Sequence, residues 1–144
     1  MRCSIFIALL FAPLLAEACK CIDAPPVTEQ FDRFDQVFLG QISDIRTREA
    51  NPPLDTRTKF DVIIGVIDIY KGNPTSEVLG EVTAYYQPFS DPVSKTSCST
   101  GIHRDYLFVV FRNEGETPVF SACSQTIYYM SSEHLRPLEE LRER

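Results

Sequence analysis

Five strand-like runs lie between two short helical segments and predict a mainly β domain, a five-stranded Greek-key barrel of the OB type. Three observations carry this. Val, Ile, Phe and Tyr cluster in short runs rather than at helical spacing, Pro- and Gly-bearing turns punctuate the runs, and no internal repeat or interdomain linker interrupts them. The flanking helices are expected to be short and the barrel to be stapled by disulfides.

The chain opens with a leader. Arg2 supplies a basic start, Ser4 to Leu15 is almost purely apolar, and Ala16-Glu17-Ala18 fits the small-x-small rule for a cleavage site. The apolar run falls short of the roughly 20 residues needed to span a bilayer core. Residues 1–18 are therefore expected to be a signal peptide, and residues 19–144 a single secreted domain. Removing 18 of the 144 residues leaves 126, enough for one hydrophobic core. Arg2 and Glu17 leave together, so the net charge stays at −6. That acidity argues against nucleic acid and anionic membrane as partners.

The elements follow in order. Thr28 can cap a short helix running through Phe34. Val37 to Ile42 is a first strand, continuing to Ile45, and Asn51-Pro52-Pro53 marks a loop. KFDVIIGVIDIY, residues 59–70, is the longest β run, with Gly65 expected at a bulge or bend. Lys71-Gly72-Asn73-Pro74 ends it as a turn. EVLGEVTAYY, residues 77–86, is the third strand, and residues 87–101 form a long Ser-, Thr- and Pro-rich loop. DYLFVVFR, residues 105–112, is the fourth strand, Asn113 to Glu116 a hairpin-type turn, and residues 119–123 the fifth. Ser131 or Ser132 can cap a terminal helix, which Pro137 would kink or restart.

Cysteine placement bears on function. Of five Cys, Cys3 lies in the leader, leaving Cys19, Cys21, Cys98 and Cys123. An even count in an exported chain reads as two disulfides. Cys19 and Cys21 are too close to meet disulfide geometry in an extended segment, so each is expected to bond to one of the two late cysteines. Loops of roughly 80 to 100 residues closed in this way are worth about 4–5 kcal/mol each in the chain-entropy model.

Enzymatic chemistry has little to stand on. His103 and His134 are isolated and lack zinc spacing, and there is no phosphate-binding Gly loop or nucleophile motif. The tyrosines and phenylalanines read as core rather than as a base-stacking platform. A lipoprotein leader would place a lipidated Cys at position 19, but Glu17 fits its recognition box poorly.

Taken together, several features resemble the tissue inhibitors of metalloproteinases (TIMPs) and the wider netrin-like (NTR) modules. These are the Cys19-Lys20-Cys21 start after the leader, Tyr70-Lys71-Gly72, Cys98 ahead of DYLFVVFR, and Ser121-Ala122-Cys123-Ser124. The resemblance covers nearly all of residues 19–144 and corresponds to the inhibitory N-terminal domain. It implies the bridges Cys19–Cys98 and Cys21–Cys123. It also implies an inhibitory ridge of Cys19, Lys20, Cys21, Ile22, Thr96, Ser97 and Cys98. In that scheme the α-amino nitrogen and carbonyl oxygen of Cys19 chelate the catalytic zinc of a target proteinase, and Lys20 points into its S1′ pocket. The chain then has no cofactor of its own. Its partner is a zinc metalloproteinase, with extracellular matrix as a further contact, and its location is extracellular, or periplasmic or surface-bound in a bacterium. Two positions depart from the pattern. Lys20 stands where the family usually has Thr or Ser, and Asp32 stands about where it has a further Cys. The alternative expectation is a netrin-like binding module with no proteinase target.

Overall fold

The computed structural model describes residues 25–86, 102, 104, 107–121, 127–129 (backbone only) and 135–144. Within these, six strands form one hydrogen-bonded sheet: β1 (Gln36–Thr47), β2 (Arg57–Lys71), β3 (Glu77–Tyr85), β4 (Leu107–Arg112), β5 (Val119–Phe120) and β6 (Ile127–Tyr129). Helices α1 (Val27–Arg33) and α2 (Arg136–Arg142) bracket them. The chain is mainly β, as its sequence predicts.

The strand order is β5-β3-β2-β1-β4-β6. Strands β1, β2 and β3 form an antiparallel meander, and β4 returns to lie antiparallel beside β1, which is the Greek-key arrangement. Strand β5 then runs parallel to β3 on the far edge, pairing Glu81 with Val119 and Val82 with Phe120. The Asn113–Glu116 turn forms, closed by the Glu116 N–H donating to the Asn113 carbonyl at 3.1 Å. It does not make a hairpin, however. It sends the chain across to β3 instead of back along β4.

Three register shifts curl the sheet, each leaving one extra residue unpaired: Ser43 on β1, and Ile67 and Tyr70 on β2. Bulges bend and twist a strand, as a sheet rolling toward closure requires. The expected bulge at Gly65 is not among them, since Gly65 pairs in register with both Gln41 and Glu77. Curling brings β5, at one edge of the sheet, against β4, the strand next to the other edge. Phe108 on β4 and Phe120 on β5 meet edge to face with ring centroids 5.2 Å apart.

Strands β1 and β4 are buried on both faces, which explains their unbroken apolar runs. Phe38, Ile42, Phe108 and Val110 face the barrel interior with Phe60, Val62, Ile64, Val82 and Phe120. Val37, Leu39, Val109 and Phe111 face outward into a second cluster with Phe31 of α1, Tyr70 and Leu138 of α2. The helices thus cover the outer face of the central strands.

The start of α1 differs from expectation. Helix α1 begins after Pro26, with no side-chain cap, and Thr28 lies inside its first turn. Pro26 suits that place because its fixed φ needs no help from a side chain. Helix α2 begins at Arg136 with Pro137 in its first turn, the position where a missing N–H costs nothing. Ser131 and Ser132 lie outside the described residues. Strand β6 is the element that sequence reading missed, because a three-residue strand offers no period to detect.

Candidate functional site

The expected inhibitory ridge, Cys19, Lys20, Cys21, Ile22, Thr96, Ser97 and Cys98, lies outside the described residues, as do Cys123, His103 and His134. The two expected bridges therefore fall outside them too. What the fold fixes is the set of points from which those segments depart.

Strand β3 ends at Tyr85, and the next described residue, Tyr86, is anchored on both sides. Its N–H donates to the Thr56 carbonyl at 3.0 Å, and its carbonyl accepts from Asp55 N–H at 3.2 Å. Beyond it runs the segment 87–101, which contains Cys98, and the chain is tied down again at Ile102, 2% exposed in the barrel core. Strand β5 ends at Phe120 and leads through Ser121 into 122–126, which contains Cys123. Because β5 runs parallel to β3, both strands leave the sheet in the same direction from adjacent tracks. The third departure point is Pro25. Its carbonyl accepts from the side-chain amide of Gln30 at 3.0 Å, and Gln30 is only 1% exposed.

The loop from β1 to β2 lies at the barrel end where β3 finishes, since Arg57 pairs with Tyr85. Asn51 and Asp55 both take φ 58°, and the Thr56 hydroxyl donates to the Pro53 carbonyl at 2.7 Å, holding the loop in one shape. Ion pairs ring this end on the outer face. Arg48 bonds Asp61 through Nε and Glu81 through Nη2, and these hydrogen bonds raise its pKa above the ordinary arginine value. Arg46 bonds Asp44 at 2.6 Å and, with the Ile45 N–H, holds that carboxyl below the usual range.

The Tyr70-Lys71-Gly72 run has a structural role at the opposite end. Tyr70 is buried under α2 with the Arg142 guanidinium 5.4 Å from its ring centroid, and burial raises its phenol pKa, helped by Asp68 and Glu139. Lys71 donates to the Phe31 carbonyl at 2.8 Å and, more distantly, to the Asp32 carbonyl at 3.4 Å. Gly72 adopts φ +75°, and a Cβ there would run into the Asp35 carbonyl oxygen. One tripeptide therefore touches both helices. The sequence marks it as a turn, but the partners lie about 40 and 70 residues away, where no local pattern can point.

Among the described residues, two surface clefts bear on the site. One, of about 460 Å³, is lined by Val66, Ile67, Asp68, Ile69, Pro74 and Ser76 along the part of β2 that extends past β3. That strand edge is blunted, since Asp68 Oδ1 accepts the Ile69 N–H and the same carboxylate holds Arg142 at 2.9 Å. The other, of about 290 Å³, lies beside Arg112. Arg112 bonds the Gln36 side chain at 2.7 Å and the Glu116 carbonyl at 3.2 Å, and burial lowers its pKa.

Among the described residues, no group of three or more His, Cys, Asp or Glu is placed to hold a metal ion, and no helix is long and apolar enough to cross a membrane. Compared with models of known protein families and with curated proteins, the chain matches none.

Proposed function

We propose that the protein is a secreted inhibitor of zinc metalloproteinases that acts through its processed N-terminus and performs no catalysis itself. The free α-amine and carbonyl of Cys19 would take the place of the attacking water on the proteinase zinc. An amine donates to a metal only when deprotonated, and an α-amino pKa of about 7.7 makes that form accessible near neutral pH. Disulfides from Cys19 and Cys21 would hold the chelator in its bound shape beforehand, reducing the ordering cost of association. Lys20 would enter the S1′ pocket, where its ammonium favours a target with an acidic group at the pocket floor over a wholly apolar one. Ile22, Thr96 and Ser97 would flank it along the cleft.

The observation that supports this reading best is the parallel exit of β3 and β5. Two strands on neighbouring tracks lead in one direction into the segments holding Cys98 and Cys123. Strands that end side by side, each ahead of a segment with one late cysteine, suit a Cys-x-Cys pair that would bond to both.

The test is a titration of several zinc metalloproteinases with oxidised protein beginning at Cys19, beside a version carrying one additional N-terminal Ala. The extra residue should weaken inhibition by about two orders of magnitude, because it acylates the chelating nitrogen. Inhibition that survives the extra Ala removes the chelation mechanism. No inhibition by either version leaves a netrin-like binding module as the function.

A further inference from the structure

The position of α1 against the barrel poses a physical problem. The helix has seven residues, has no side-chain N-cap, and is too short to be stable alone. It also begins directly after Pro25-Pro26, and Pro25 is four residues beyond Cys21 in the chain. Whatever holds α1 limits where the N-terminal segment can begin.

Besides its packing on α2, three contacts bear on its placement. Phe31 is buried in the outer cluster with Val37, Tyr70 and Leu138. Gln30 is buried and donates back to the Pro25 carbonyl at 3.0 Å. Lys71 reaches across from the end of β2 to the Phe31 carbonyl at 2.8 Å, with its ammonium 5.4 Å from the Phe31 ring centroid. Burial supplies adhesion without direction, but a charge on the last free carbonyls of a helix fixes both its axial position and its rotation. Lys71 is itself held in place. It ends a fifteen-residue strand, Gly72 turns the chain at φ +75° against Asp35, and Tyr70 is buried beside it.

We propose that Lys71 is a positioning residue whose ammonium locks the C-terminal turn of α1 to the barrel and so fixes, through Gln30 and Pro25, where the N-terminal segment departs. This inference rests on the inhibitory reading of that segment for its functional consequence, but the locking itself can be measured without it.

The test compares wild type with K71M, which keeps the stem over Phe31 and loses the donors, and K71R, which restores them. Amide exchange at residues 28–34 should rise about tenfold in K71M and return toward wild type in K71R, while Val62, Val109 and Val110 in the sheet stay protected. Unchanged exchange in α1 overturns the proposal. Loss of protection across the sheet overturns it as well, since Lys71 would then be a general stability residue. Inhibition of a metalloproteinase should weaken about tenfold in K71M and recover in K71R. Full inhibition by a K71M protein whose α1 has loosened would overturn the positioning role. A wild type that inhibits no proteinase would instead remove the functional reading, and the exchange comparison alone would then decide whether Lys71 locks the segment.

Discussion

Gly72 and Gly115 both sit at positive φ, +75° and +82°, yet a substitution should separate them. A Cβ at Gly115 meets nothing within 4 Å, whereas at Gly72 it meets the Asp35 carbonyl and the Gln36 side chain. Gly115→Ala should cost about 1 kcal/mol, the left-handed penalty alone, and Gly72→Ala about 2–3 kcal/mol, read from urea denaturation midpoints. Tyr70 gives a second residue-scale expectation. Burial raises its phenol pKa above the ordinary value of 10.0. The folded chain therefore keeps its phenolic proton at a pH where the unfolded chain has lost it, so stability falls as pH rises from about 10 through the folded pKa. Tyr70→Phe should flatten that alkaline loss relative to wild type in melting curves taken between pH 8 and 11. On the proposed chelation mechanism, inhibition should decline as pH falls below about 7.7, because protonation would remove the lone pair on the Cys19 nitrogen.

At the scale of elements, the barrel interior and the outer cluster use alternate residues of the same strands. Phe108 is buried against Phe120, joining β4 to β5, while its neighbour Val109 packs under the helices. Phe108→Ala should cost about 3–5 kcal/mol by leaving a cavity and undoing the ring contact between β4 and β5. Leu79→Ala on β3, with its side chain 52% exposed, should stay within about 0.5 kcal/mol in the same assay. The helices behave differently from the strands. Neither α1 nor α2 has a side-chain cap, and each is seven residues long, so their order comes from Phe31 and Leu138 rather than from propensity. A peptide of residues 25–35 should accordingly show no helical circular dichroism in water.

For the whole molecule, β5 is the element that decides the topology. Among the described residues only two pair, but their parallel register with β3 carries the chain across the barrel, so that β3 and β5 run the same way, each ahead of a segment that holds a cysteine. Peptide mapping without reduction should yield Cys19 linked to Cys98 and Cys21 linked to Cys123. Reduction should then lower stability by about 2–5 kcal/mol, since it frees long loops in the unfolded chain. The alternative pairing in the same mapping would overturn the connectivity that the family resemblance implies.

Much of this fold is written in short-range pattern. Phe60, Val62 and Ile64 alternate with polar or less buried neighbours, and the Lys71-Gly72-Asn73-Pro74 turn is legible as a turn, because alternation and φ preference are properties of a residue and its near neighbours. Gly65 was misleading for the same reason: a glycine in a strand permits a bulge, while cross-strand register decides where the bulges fall, at Ser43, Ile67 and Tyr70. The candidate site is legible only as the Cys19-Lys20-Cys21 spacing that follows an apolar run. By itself the sequence determined the strand runs and the turns between them, all of them properties of near neighbours. Only the tertiary structure decided that β5 crosses to β3 and that Lys71 reaches the carbonyls of α1. Those contacts join residues about 40 positions apart, and their energies depend on which surfaces the folded chain has already brought together.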